Sequence, residues 1–204
     1  MNTKLTNIVE QFAFEGTICE IIPLGEGLIN DTFRVITAEE DKPNYVLQRV
    51  NHIVFPDVDM VMRNIQAVTS HIRKKLEESN TEDIDRRVLT FIPSKENADK
   101  LYCVVDGQYW RIMVFIPNAI TKQAVNPDSS RAAGKAFGEF QAMLADIPVS
   151  LGETIKDFHN MEFRLQQLRD VIAADPAGRV QEPQVQEMLR QIEERAEEMC
   201  KAER

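Results

Sequence analysis

The chain has 204 residues, 43% of them apolar and 28% charged, with a formal net charge of -9. These proportions lie near the averages for globular domains and argue against disorder, while the length suffices to bury a core. The acidic balance, with no Lys/Arg stripe interleaved with aromatics, argues against nucleic acid as a partner.

The chain opens on helical spacing (Ile8, Phe12), and Ile18 to Leu24 then form a β-prone run that breaks at Gly25-Glu26-Gly27. Strand pattern resumes at Thr32 to Thr37, a polar segment from Ala38 to Asn44 turns the chain, and Tyr45 to Val50 make a third strand. An antiparallel meander is expected. Val58, Val61, Met62, Ile65, Val68, Ile72 and Leu76 recur at helical steps behind the caps Asp57 and Asp59, which predicts an amphipathic helix. Near its end the basic run Arg73-Lys74-Lys75 meets Glu77 and Glu78 and reads as a solvated helix end.

A β-prone piece at Val88 to Ile92 precedes two apolar runs, Leu101 to Val105 and Gln108 to Ile116, that flank Asp106-Gly107. An Asp-Gly pair between such runs predicts a tight hairpin, its second strand ending at Pro117. From Pro127 the texture turns helical, first through Ala132, Ala136, Phe137, Phe140, Met143 and Leu144, then over 162–174. The last helix starts at Pro183, with Val185, Leu189, Ile192 and Ala196 on one face. The expectation is an α+β fold. Residues 1–117 form a mostly antiparallel sheet crossed by one helix, and 118–204 form a linker and the first helices of an incomplete second domain. An uncovered apolar stripe on those last helices suits self-association.

Cys19, Cys103 and Cys200 are far apart and contain no CxxC pair, so neither zinc nor a disulfide framework is expected. The N-terminus carries no apolar signal segment and no stretch reaches the roughly 18 apolar residues of a membrane span. A cytoplasmic protein without a membrane partner is the expectation.

Gly25-Glu26-Gly27-Leu28-Ile29-Asn30-Asp31 lies between two strands, where glycines permit close backbone approach and successive N–H groups can face phosphate oxygens. A tight turn without a ligand is the plain alternative. A dinucleotide fingerprint would need a helix directly after the glycines, and a Walker loop would need Gly-Lys-Ser/Thr; the sequence has neither. What remains is a kinase-type glycine hairpin, in which the third strand supplies a cation to the phosphates and a later strand leads into the segment that holds adenine. Here the third strand carries Gln48-Arg49 where a lysine is expected, and the hinge would be Phe115-Ile116-Pro117-Asn118. Arg49 is the candidate cation; a surface arginine on an edge strand is the plain alternative.

The segments GEGLINDTF (25–33), YVLQRVN (45–51) and NIQAVTSH (64–71) resemble the aminoglycoside phosphotransferase and choline kinase superfamily, and within it the N-acetylhexosamine 1-kinase group. AFGEFQAMLADIP (136–148), TIKDFHN (154–160) and AADPAGR (173–179) look like later segments of that group. The resemblance implies transfer of the γ-phosphate of ATP, with Mg²⁺, to the anomeric hydroxyl of a small N-acetylated hexosamine. It implies that Gly25, Gly27, Asn30 and Asp31 cover phosphate, that Gln48 or Arg49 stands at the cation position, and that Phe115 and Ile116 lie at the adenine hinge. Kinases of the superfamily often pair the cation with a helix glutamate, whereas this helix offers Arg63 and Asn64 at that turn.

Asp157, His159 and Asn160 fall in a segment the resemblance places near the acceptor sugar; the preferred plain reading makes Asn160 the cap of the helix that follows. The superfamily's catalytic Asp in an HxD-type loop and its metal-binding Asp have no counterpart here, since His52, His71 and His159 are each followed by the wrong residues. No catalytic or metal-binding residue is therefore assigned, and the chain is expected to be truncated and inactive as it stands. Two other readings remain open. One is a kinase for another small hydroxyl substrate such as homoserine, choline or an aminoglycoside; the other is a non-catalytic interaction module.

Overall fold

The computed structural model describes residues 3–25, 27–120 and 125–201. The chain runs α1 (Thr3–Val9), β1 (Ile18–Pro23), β2 (Asp31–Thr37), β3 (Tyr45–Val50), α2 (Val58–Glu78), α3 (Ile84–Arg87), β4 (Cys103–Val105), β5 (Gln108–Val114), α4 (Pro127–Leu144), α5 (Met161–Ala174) and α6 (Pro183–Cys200). The strands form one five-stranded antiparallel sheet in the order β1-β2-β3-β5-β4. The expected meander is thus extended by the hairpin, whose second strand pairs with β3 from Tyr45↔Val114 to Val50↔Tyr109. Asp106 (φ 52°) and Gly107 (φ 71°) both adopt left-handed backbone, the conformation a two-residue hairpin turn requires.

Val88 to Ile92 does not form a full strand. It reaches the sheet through a bridge between Phe91 and Met113, with Ile92 N donating to Ile112 O at 3.0 Å and Val114 N to Thr90 O at 2.9 Å. The short β4 covers only the Gln108 to Trp110 end of β5, and this segment takes the edge left open beyond it.

Side-chain alternation gives the sheet two apolar faces. On one, Leu5, Ile8, Val9 and Phe12 pack against Val35, Tyr45, Leu47, Trp110 and Ile112. On the other, Val50 meets Val58, Val61 and Met62 of α2 together with Tyr102. Each fully buried aliphatic side chain contributes about 1.5–3 kcal/mol by leaving water. Helix α2 starts where Asp57 Oδ1 accepts from Met60 N at 2.8 Å, and a third cluster of Ile72, Leu76 and Val88 lies beside Met143 and Leu144 of α4.

The chain divides into two compact units, Met1–Thr154 and Ile155–Arg204. Helix α4 therefore groups with the sheet, although the change of sequence texture precedes it. Polar bonds account for this grouping. Lys75 Nζ donates to Met143 O at 3.0 Å and pairs with Asp146, and His71 Nε2 lies 3.1 Å from the same carbonyl. The Lys75 ammonium thereby satisfies a carbonyl at the C-terminal end of α4. Farther along, Asn64 exchanges both amide bonds with Gly152, donating to its carbonyl at 2.7 Å and accepting from its N–H at 2.9 Å.

In the second unit Arg169 grips Glu193 with Nε and Nη2 at 2.9 and 2.7 Å, tying α5 to α6. Val185, Leu189, Ile192 and Ala196 are half-buried there rather than bare. Among the described residues, no helix is long and apolar enough to cross a membrane.

Candidate functional site

The glycine loop joins β1 to β2. Gly25 has φ +75° with open space where a Cβ would project, so backbone conformation rather than crowding calls for glycine. A Cβ on Gly27 would lie 3.5 Å from Asn30 O, an ordinary contact. Glu26 lies outside the described residues. Asn30 Oδ1 accepts from Asn51 N at 2.9 Å, and Leu24 N donates to Thr32 O at 2.9 Å. The base of the loop is thereby fastened to the chain leaving β3, while Leu28 at its tip is fully exposed.

Gln48 and Arg49 are neighbours on a regular strand and so point to opposite faces. Arg49 pairs with Asp31, with Nε at 2.6 Å and Nη2 at 2.5 Å from Oδ2, and its Nη1 donates to Gln108 Oε1 at 2.9 Å. The structure therefore brings two sequence-predicted residues, Asp31 and Arg49, into one ion pair and uses the charge of each on the other.

Gln48 belongs to a different row. Its Nε2 donates to Thr32 Oγ1 at 3.0 Å, and its Oε1 accepts from Arg111 Nε at 2.9 Å and Arg111 Nη2 at 2.6 Å. Thr32, Gln48 and Arg111 are register partners on β2, β3 and β5, and they form a polar row across the face that carries α2. Gln48 and Arg111 line a cavity of about 610 Å³ whose other walls include Val46, Ile65, Phe91 and Met113. The remaining contacts of Arg111 are weak ones: Met62 Sδ at 3.7 Å from Nη1, and the Phe91 ring, whose centroid lies 5.6 Å from Cζ. Burial pulls its guanidinium down to about 10, which leaves it charged at neutral pH.

Arg111 was not among the residues the sequence singled out. Its signal is an arginine inside the run Tyr109-Trp110-Arg111-Ile112-Met113, where alternation sets it on the face opposite Trp110 and Ile112. That signal locates a face; only the pairing of β3 with β5 locates a partner.

Phe115 and Ile116 follow β5 directly. The Phe115 amide donates to Asn44 O at 2.8 Å and its ring lies 4.3 Å beneath the Arg34 guanidinium, while Pro117 O accepts from Arg86 Nη1 at 2.8 Å. Asp157, His159 and Asn160 belong to the second unit. Asn160 Oδ1 accepts from Phe163 N at 2.9 Å, which caps α5, and its Nδ2 donates to Asp157 Oδ1 at 3.0 Å. The ring of His159 stands edge-on to Phe158, with centroids 4.7 Å apart. The capping role preferred on sequence grounds is therefore present, with Asp157 bonded to the cap. Among the described residues, no group of three or more His, Cys, Asp or Glu side chains is placed to hold a metal ion.

An antiparallel sheet with a glycine loop between its first strands, a helix over one face and helices following in sequence defines an α+β chain with a kinase-like N-lobe. The model of the phosphotransferase enzyme family matches residues 20–204, and the chain belongs to that family, a class of small-molecule phosphotransferases.

Proposed function

We propose that the protein transfers the γ-phosphoryl group of ATP to a hydroxyl of a small sugar, as an N-acetylhexosamine 1-kinase does. In this reading the lobe up to about Pro117 holds the donor, the segment from 118 onward serves the acceptor, and Gly25, Gly27, Asn30 and Asp31 form the cover over the phosphates. The family kinases use ATP with Mg²⁺, and the magnesium would supply charge neutralisation on the donor phosphates. No step is assigned to the metal on the described residues.

The observation that carries the reading is the coupling of the glycine loop to the cavity face. Asn30 is bound to Asn51, and Thr32, two residues farther, is bound to Gln48 on the cavity wall. A loop held in that way can lie over a polyphosphate whose base end reaches toward Val46 and the hinge residues Phe115 and Ile116. The work asked of the protein in phosphoryl transfer is mainly positioning and electrostatic stabilisation, which such a rigid frame serves. Asp157, His159 and Asn160 carry hydroxyl-binding groups suited to a sugar, although Asn160 already serves its helix.

The test is phosphoryl transfer from radiolabelled ATP by the protein expressed from its complete coding sequence. The acceptors are N-acetylglucosamine, N-acetylgalactosamine, homoserine, choline and an aminoglycoside. An acid-labile sugar 1-phosphate from the N-acetylhexosamines alone is expected. Transfer to choline, homoserine or the aminoglycoside with none to the sugars would overturn the sugar assignment while leaving the family chemistry intact.

A further inference from the structure

Resting on that reading of the donor site, we propose that Arg111 of β5 supplies the positive charge that meets the donor phosphates, with Gln48 of β3 as its positioning residue. Neither member of the Gln48-Arg49 pair then serves as the cation.

The argument starts from the position on β3 where a kinase-type lobe places its lysine. The residue there that faces α2 and the cavity is Gln48, which is neutral. Its charged neighbour Arg49 points to the opposite face, where Asp31 and Gln108 occupy its donors. A charge on the cavity face must therefore come from elsewhere: Arg87 of α3 and Arg111 of β5 both line the cavity, and only Arg111 is in the sheet row of Thr32 and Gln48. Arg111 is the register partner of Gln48 on β5 and stands beside it on the cavity wall. Moving the cation by one strand keeps it on the same face and within the same row, with Gln48 of β3 between it and Thr32 of β2, the strand that emerges from the glycine loop.

The bonding of Arg111 supports a ligand role rather than a structural one. A structural arginine inside a protein is normally paired, because an uncompensated guanidinium in an apolar setting is costly to bury. Among the described residues, no carboxylate pairs with Arg111. Its strong bonds all go to one neutral acceptor, Gln48 Oε1, and they use Nε and Nη2 only. Nη1 has nothing better than a thioether sulfur at 3.7 Å. The walls around it, Val46, Ile65, Phe91 and Met113, add no compensating charge.

A planar fork locked on one edge by an amide and left short of acceptors on the other is an anion receptor, and a phosphate oxygen suits it. The same arrangement explains why α2 carries Asn64 and no glutamate at the turn facing the cavity. The amide of Gln48 orients the cation, and Asn64 is engaged with Gly152.

The experiment is calorimetric titration of the protein, expressed from its complete coding sequence, with ADP and with adenosine in the presence of magnesium. The ratio of the two affinities isolates what the phosphates contribute. In the wild type ADP is expected to bind about tenfold to a hundredfold more tightly than adenosine, the range of charge-assisted hydrogen bonds. Arg111→Gln, which keeps a donor toward Gln48, and Arg111→Met should each collapse that ratio to about twofold with adenosine affinity unchanged. The ratio is read on whichever of them retains the wild-type circular dichroism. Arg49→Met should leave the ratio within about twofold of the wild type.

Relocating the charge by combining Gln48→Lys with Arg111→Met should restore most of the ratio, which a merely structural role of Arg111 would not predict. If the Arg111 variants keep the full ratio, or if Arg49→Met alone abolishes it, the assignment of Arg111 is overturned and the donor reading stands. A wild type that binds neither ADP nor adenosine overturns both.

Discussion

The side chains of Gln48 and Arg111 meet across β3 and β5, the amide oxygen of one accepting 2.9 and 2.6 Å bonds from Nε and Nη2 of the other. Residues 63 positions apart in sequence thereby form the central contact of the cavity wall. Thr32 extends the contact to β2.

That contact has a measurable weight. Gln48→Leu removes the acceptor of a charged donor and should destabilise the fold by about 1.5–3 kcal/mol. Thr32→Val removes only a neutral bond and should cost about 0.5–1.5 kcal/mol. Urea unfolding followed by circular dichroism gives both values, and equal losses would show that the charge on Arg111 does not weigh on the contact.

The ion pair of Arg49 and Asp31 is half-exposed, with side-chain exposures of 37% and 54%. Solvent screens such a pair, so Asp31→Asn should lower stability by no more than about 1 kcal/mol, and less at high salt. Thermal unfolding at low and high ionic strength provides the comparison. A large loss that salt leaves unchanged would mean that Asp31 does more for the fold than pair with Arg49.

Asp146 carries an acid-sensitive part of the attachment of α4 to α2. Its side-chain bond with Lys75, aided by His71, holds the carboxyl below its ordinary value of 3.8. A depressed carboxylate contributes stability above the unfolded-state value, and that contribution is lost as pH falls through the lower folded-state value. The difference in melting temperature between wild type and Asp146→Asn should therefore be steady from neutrality to about pH 4 and shrink below it. A difference that grows in acid would contradict this sign.

Burial pushes the Cys103 thiol up to about 11, whereas Cys19 is exposed. Because the thiolate is the reactive form, Cys103 should be silent toward a disulfide reagent at pH 8 in the native protein. Cys103→Ala should leave the native reaction unchanged and remove a thiol only from the protein unfolded in urea. Loss of a native phase in that variant would place Cys103 at the surface.

The features legible in the sequence are those whose cause is local. Asp106-Gly107 announces its turn because two left-handed residues are needed in succession and this pair tolerates them. Asn160 announces the start of α5 because a cap bonds to the N–H three residues on. The strand at Tyr45–Val50 and the helix from Val58 follow from periodicity in the same way. Val88 to Ile92 was legible only as β-prone material, since its incomplete pairing depends on how far β4 reaches along β5.

The sequence by itself determined the α+β layout, the glycine loop and the alternation that sends Gln48 and Arg49 to opposite faces. Only the tertiary structure decided which face holds the cavity, that Asp31 neutralises Arg49, and that Arg111 stands beside Gln48. It also decided that α4 lies against α2, whose Lys75 and His71 reach the carbonyl of Met143. The physical reason is common to these cases. A strand's own pattern fixes the direction of its side chains, but the charge and partners each side chain meets come from chain segments brought alongside by folding, and no local period encodes them.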